Sequence, residues 1–130
     1  MCGIAGVFSS RDRRNDVVGM RDVLTHRGPD DSGVSALTGT EGRTVGWFGH
    51  TRLSIVDLSP AGHQPMYTPD ERLCITFNGE IYNYAALRDD LEKAGTEFRG
   101  HSDTEVLLRG WEAEGHAFLN KLRGMFAFAI

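Results

Sequence analysis

Apolar positions come in short blocks separated by glycine, proline and charge, not in one long period. Cys2 to Phe8 is an apolar, partly β-branched run and predicts a buried strand beginning at the N-terminus. Asn15 or Asp16 is placed to cap a helix through about Thr25, with Val17, Met20, Val23 and Leu24 on one face. His26-Arg27-Gly28-Pro29-Asp30-Asp31-Ser32-Gly33 predicts a loop of fixed turn chemistry. A short strand is expected over Val34 to Leu37, a turn around Gly39 to Gly42, and a strand over Thr44 to His50, with Arg52 to Val56 as its continuation or neighbour. Pro60, Gly62, Pro65 and Pro69 make the stretch from Asp57 to Pro69 irregular.

Leu73 to Phe77 predicts a strand, Asn78-Gly79 a hairpin turn, and Glu80 to Tyr82 the returning strand. Tyr84 to Ala94 predicts an amphipathic helix with Leu87, Leu91 and Ala94 on one stripe and Gly95 beyond its end. Ser102-Asp103-Thr104-Glu105 has the form of a capping box ahead of Val106, Leu107, Leu108 and Trp111. A short helix around Ala117 to Leu122 precedes Met125 to Ile130, which reads as a buried strand. An apolar strand that runs to the last residue implies a chain cut from something longer. Strands come first and helices follow among further strands, without regular β-α-β alternation. That order predicts an α+β fold of layered sheets, not a doubly wound parallel sheet.

The length, 130 residues, fits one domain. A content of 40% hydrophobic and 25% charged residues excludes disorder, collagen and coiled coil. The net charge of −4 does not favour nucleic-acid binding through a basic face, though it leaves a local patch open, and no nucleic-acid partner is expected. No run approaches the ~18–20 apolar residues of a membrane span. The N-terminal run is too short for a signal peptide and is followed by Arg11-Asp12-Arg13-Arg14; Cys at position 2 excludes myristoylation. Two cysteines without a C-x-x-C pair agree with a reducing, cytoplasmic compartment.

Cys2 is the sharpest chemical feature. Removal of Met1 leaves its thiol on the residue that carries the free α-amine. An amine near ~7.7–8.0 and a thiol near ~8.5 are almost balanced in proton affinity, so one residue supplies nucleophile and base. A small buried residue is the alternative reading of Cys2, and Cys74, between Leu73 and Ile75, reads as inert core. Asn78 and Gly79 offer a side-chain amide and a backbone N–H that can stabilise an oxyanion, in addition to their turn chemistry. Arg52 is suited either to a surface stem or to a bidentate grip on a carboxylate. Asp103 suits a helix first turn, or a partner for a substrate ammonium. The five histidines lack i, i+4 or H-E-x-x-H spacing, so no metal site is expected, and no nucleotide-binding loop is present.

Six blocks together carry a resemblance. They are Met1 to Phe8, His26 to Asp30, Arg52 to Asp57, Phe77 to Asn83, Gly100 to Glu105 and Gly124 to Ala129. The sequence resembles the class II glutamine amidotransferase domain, in the branch that opens glutamine-hydrolysing asparagine synthetases. The resemblance spans residues 1–130 and implies an N-terminal-nucleophile hydrolase fold, an αββα sandwich of antiparallel sheets, here incomplete at its C-terminus. It implies Cys2 as nucleophile, Asn78 and Gly79 as oxyanion hole, Arg52 on the glutamine α-carboxylate and Asp103 on its α-ammonium. Leu53, Ser54, Ile55, Val56 and Glu80 would line the glutamine pocket, and His26 to Asp30 would be a positioning loop beside it. The implied reaction is L-glutamine hydrolysis to glutamate and ammonia, with no cofactor in this chain. ATP and magnesium belong to the synthetase domain or subunit that receives the ammonia, and the phosphate loop of that domain is absent here. Two other readings stay open: a non-catalytic docking or structural module, and the same glutaminase chemistry serving another acceptor, as in glucosamine-phosphate or phosphoribosylamine synthesis.

Overall fold

A computed structural model of the chain describes all 130 residues. Its first sheet is built from β1 (Gly3–Phe8), β2 (Asp31–Thr38) and β3 (Thr44–Arg52) in the antiparallel order β1-β3-β2. The register sets Gly3 opposite Thr51 and Asp31 opposite Arg52, so the start of β1 and the start of β2 flank the end of β3. The side chains of β3 alternate between two faces. On one face Gly49 lies against Val17 of α1 (Arg14–Asp22), which covers the sheet. On the other, His50 reaches the second sheet, where its Nε2 lies 3.0 Å from the Phe77 carbonyl oxygen.

The second sheet, also antiparallel, has the order β4-β5-β6, from Met66–Tyr67, Cys74–Ile81 and Gly124–Ala129. Ile75, Phe77 and Ile81 of β5 meet Leu87 and Leu91 of α2 (Tyr84–Lys93), Val106, Leu107 and Leu108 of α3 (Asp103–Glu114), and Phe118 of the 3-10 helix Gly115–Lys121. This cluster is the main apolar core. Helix, sheet, sheet, helices is the expected αββα layering.

The structure departs from the sequence pattern at six places. There is no hairpin at Asn78-Gly79: β5 runs straight through it, because residues 78–80 pair with Ala127, Phe126 and Met125 of β6. Long-range pairing overrides the local turn preference. Leu53 to Val56 is not a strand; beyond Arg52 the Ser54 N–H is taken by the Asp30 carboxylate at 2.8 Å instead of a neighbouring backbone. The first helix stops at Asp22, and a 3-10 turn, Thr25–Arg27, follows. Val17 alone of its apolar face is buried, while Val23 is 71% exposed, because Gly49 offers a seat for one side chain. β6 is an edge strand, with Met125 66% exposed where burial was expected. The capping box is half-formed: Ser102 Oγ accepts the Glu105 N–H at 3.2 Å, but the Glu105 carboxylate accepts from Arg99 and Gly100 N–H instead.

His50 sits between the sheets, 1% exposed, and burial pushes its pKa down to about 4 against the pull of the Phe77 carbonyl. Above about pH 6.5 the unfolded and folded states both carry it neutral. Below that, the unfolded chain takes up a proton that the folded chain refuses until about pH 4. Stability is therefore lost as pH falls from about 6.5 towards 4, by up to roughly 3 kcal/mol. Urea unfolding of wild type and His50→Gln should show their stability difference shifting by that order between pH 7 and 4. A difference that stays constant would contradict the assignment.

Candidate active site

The start of β1 is held by three neighbours. Cys2 Sγ accepts the Leu53 N–H at 3.4 Å and lies 3.8 Å from the Leu53 carbonyl oxygen, to which the thiol can donate. Arg27 donates its Nε–H to the Cys2 carbonyl oxygen at 2.9 Å. The loop that carries Arg27 lies directly on the end of β3. A Cβ on Gly28 would come within 2.6 Å of the Thr51 carbonyl oxygen and 2.7 Å of the Arg52 nitrogen, so only glycine permits this approach. Asp30 then donates its N–H to the Arg52 carbonyl oxygen at 3.0 Å. The loop thus fixes Cys2 and Arg52 relative to each other.

Arg52 is 7% exposed. One Nη donates to the Ser59 carbonyl oxygen at 3.0 Å and the other to the Asp57 carbonyl oxygen. Two of its five N–H donors are thereby assigned to the loop after β3, and three remain. Desolvation pushes the Asp57 carboxyl up, but the N–H groups of His101 and Ser59, the Ser59 hydroxyl and the Arg52 charge outweigh it and hold the pKa below the usual value. Asp57 is therefore an anion that ties the loop to the turn before α3, through His101 N–H at 2.8 Å.

The third wall of the site is one edge of β5. The Tyr82 N–H donates to the Arg123 carbonyl oxygen, which sets the even-numbered residues of β5 as those bonded to β6. The odd-numbered N–H groups point to the opposite edge, which β4 covers only as far as Ile75. Phe77 N–H there donates to Gln64 Oε1 at 2.7 Å, and Ile81 N–H to Asp103 Oδ2 at 3.0 Å. The Gly79 N–H lies between them on the same edge. Asp103 opens α3, where its Oδ1 also accepts the Thr104 N–H at 2.9 Å. Burial pushes the Asp103 carboxyl above the usual range; these N–H groups pull it down without cancelling the effect, and the Glu80 charge adds to the rise.

These parts share one cleft of about 110 Å³. Cys2, Arg52, Leu53, Ile55, Val56, Gly79, Glu80 and Asp103 line it, which brings together eight of the ten residues expected at the site. Ser54 and Asn78 do not line it. The backbone N–H of Ser54 is turned to Asp30, and Asn78 is half-buried with an Oδ1 that has no partner within the chain. Gln64 is the main residue that sequence reasoning missed. It lies in the proline-rich stretch, where irregular backbone hides any periodic signal. Asp57 closes the Arg52 to Asp57 block of the resemblance but was given no role of its own. Cys74 stands apart from the cleft, and burial pushes its thiol up to about 11. No group of three or more His, Cys, Asp or Glu side chains is arranged to hold a metal ion. No helix is long and apolar enough to cross a membrane.

The family described as "Glutamine amidotransferase domain" has a sequence model that matches residues 1–130. The chain belongs to this glutamine amidotransferase family. Among curated relatives, the chain is 43% identical over 136 residues to asparagine synthetase [glutamine-hydrolyzing] 1 of Bacillus subtilis, covering 100% of this chain and 20% of that protein. It is 40% identical over 137 residues to asparagine synthetase B [glutamine-hydrolyzing] of Escherichia coli, covering 100% of this chain and 23% of the relative. The amidotransferase chain thus spans about a fifth to a quarter of the length of these relatives. Among solved structures, glutamine phosphoribosylpyrophosphate amidotransferase from B. subtilis superposes with a TM-score of 0.81 at 24% identity, over 96% of this chain and 34% of that one. That likeness shows that the two chains share a fold.

The cleft edge depends on how closely β6 lies against β5. A Cβ on Gly79 would meet the Met125 carbonyl oxygen, and Phe126 Cα at 2.5 Å. Gly79→Ala should therefore destabilise the chain by roughly 1–3 kcal/mol, since backbone and not a flexible side chain must move. Chemical denaturation checks this, and a midpoint equal to that of wild type would show that β6 yields freely.

Proposed function

We propose that this amidotransferase chain hydrolyses L-glutamine to glutamate and ammonia through a thioester on Cys2. One observation carries the proposal: a single cleft gathers a sulfur, a buried guanidinium, a free strand-edge N–H and a buried carboxylate. Glutamine presents a side-chain amide, an α-carboxylate and an α-ammonium, and the cleft offers a partner to each. Arg52 takes the carboxylate with the donors not used by Ser59 and Asp57. Asp103 takes the ammonium, with Glu80 adding negative charge beside it. Leu53, Ile55 and Val56 line the cleft beside Arg52 and would contact the substrate; Ser54, turned to Asp30, would shape that wall only through its backbone.

Met1 borders the cleft beside Cys2. Its removal opens the cleft and frees the Cys2 amine. That amine accepts the thiol proton as sulfur attacks the amide carbon, and the carbonyl oxygen becomes an oxyanion at the Gly79 N–H; Asn78, which does not line the cleft here, would join as second donor by turning its side-chain amide into it. Removing one such donor ordinarily costs about 2.7–4 kcal/mol of barrier. The intermediate collapses by breaking the C–N bond; nitrogen leaves as ammonia with the proton held by the amine. Water then attacks the thioester, glutamate is released, and the thiol is restored. Water is the sole co-reactant of this half-reaction, so it calls for no cofactor. The identity to asparagine synthetases supports delivery of the ammonia to a synthetase domain or subunit that uses ATP and magnesium, in the cytoplasm. We assign residues 1–130 to the glutaminase domain of that assembly.

Two experiments test the proposal. With Met1 removed, Cys2→Ala should lose all measurable ammonia release from glutamine while its circular dichroism stays that of wild type. Persistent turnover in that variant would end the Cys2 assignment. The second test uses the raised Asp103 pKa. As pH falls through it, the carboxylate that pairs with the ammonium is neutralised, so KM for glutamine rises towards acid and is flat above. Asp103→Asn should raise KM by roughly 10- to 100-fold, the worth of one charged hydrogen bond, and remove that acid dependence. A wild-type KM as insensitive to pH as that of the variant would contradict the pairing.

A further inference from the structure

Two polar contacts meet at the side chain of Gln64, a residue to which the proposed chemistry gives no part. Its side chain is 4% exposed residue-wide, beside the cleft. The carboxamide accepts the Phe77 N–H on Oε1 at 2.7 Å and donates from Nε2 to the Thr104 hydroxyl oxygen at 3.2 Å. The β4–β5 register, with Met66 opposite Ile75 and Tyr67 opposite Cys74, continues to Gln64 opposite Phe77. The Gln64 backbone does not continue the ladder, because its carbonyl oxygen is turned against Gly33 of β2. The side chain takes the place of the missing backbone acceptor. It does so two residues before Gly79 on the same edge of β5, and its other end holds the residue after Asp103.

We propose that Gln64 is a positioning residue that sets the separation between the Gly79 N–H and the Asp103 carboxylate. The inference rests on the glutaminase reading, in which those two groups hold opposite ends of one substrate. β5 and the first turn of α3 are otherwise joined at this edge by the Ile81–Asp103 bond. That bond lies on the far side of Gly79, so by itself it leaves the strand free to pivot. Gln64 adds a second tie on the near side, and two ties fix an angle as well as a distance. A carboxamide suits this task because it accepts in one direction and donates in the other. Both bonds are screened from water, so loss of either partner strands a buried polar group.

The test compares wild type, Gln64→Ala, Thr104→Val and Thr104→Ser, all with Met1 removed. Each is assayed for glutaminase kcat and KM and for the rate of Cys2 alkylation by iodoacetamide, a reagent too small to need the glutamine contacts. Gln64→Ala should lower kcat/KM by about 10- to 100-fold, the range that a misplacement of roughly 1 Å produces, with the alkylation rate within about twofold of wild type. Thr104→Val should lower kcat/KM by about three- to tenfold, mainly through KM, as one neutral hydrogen bond is lost. Thr104→Ser, which keeps the hydroxyl, should recover most of that loss. If Gln64→Ala does not fold, the Thr104 pair decides. Folded Gln64→Ala and Thr104→Val proteins with wild-type kcat/KM, failure of serine to recover the loss, or an equal loss in alkylation rate would overturn the inference while leaving the glutaminase reading intact. Wild type without turnover would overturn that reading, and this inference with it.

Discussion

A strand edge left unpaired for a few residues is the constraint from which the site follows. β5 is paired on one side with β6 from Thr76 to Ile81, and on the other with β4 only as far as Ile75. Beyond that point its outward N–H groups need acceptors, because a buried, unsatisfied donor costs about 1–3 kcal/mol. Gln64 supplies one acceptor and Asp103 another, from the proline-rich loop and from α3 respectively. Gly79 lies between them, facing the cleft. An open edge on most proteins is a liability for aggregation. Here it is covered by side chains on both sides of a gap one residue wide.

The same edge explains why the other components converge. β1 and β3 pack on β5 across the middle of the sandwich, and β1 is short, so the residue before it emerges at the end of β3. Cys2 and Arg52 are thereby brought to one end of the first sheet, opposite the open stretch of β5. The loop from His26 to Asp30 locks this end through Arg27 on the Cys2 carbonyl and Asp30 on both Arg52 and Ser54. Asp103, Glu80 and the guanidinium of Arg52 all line this cleft, so it offers both acceptors for an ammonium and donors for a carboxylate. The sandwich supplies rigidity, and the chemistry comes from its exposed ends.

Much of this was legible in the sequence. The apolar strand runs, the Ser102 cap and the apolar positions of α2 and α3 are local signals; their order pointed to α+β layered sheets, and the αββα arrangement came from the family resemblance. Cys2, Arg52, Gly79 and Asp103 were legible as chemical groups from residue type and from family resemblance. The turn at Asn78-Gly79 was misread because a dipeptide carries only local preference. β6, more than forty residues later, decides that the strand continues, and Gly79 is required for its close approach and not for a bend. Val23 was misplaced because helical periodicity cannot report how wide a face the sheet offers. Gln64 was invisible for a different reason. Its place comes from a register that stops at Met66 opposite Ile75, two residues short of it, and no pattern along the chain records where a ladder stops.

The central claim is that the sulfur of residue 2 faces a pocket shaped for glutamine. The most direct measurement is mass-spectrometric mapping of the adduct formed by an electrophilic diazoketone analogue of glutamine on the Met1-free protein, with and without excess glutamine. The account predicts one adduct, on Cys2, suppressed by glutamine. An adduct on Cys74, or labelling of Cys2 that glutamine does not suppress, would contradict it.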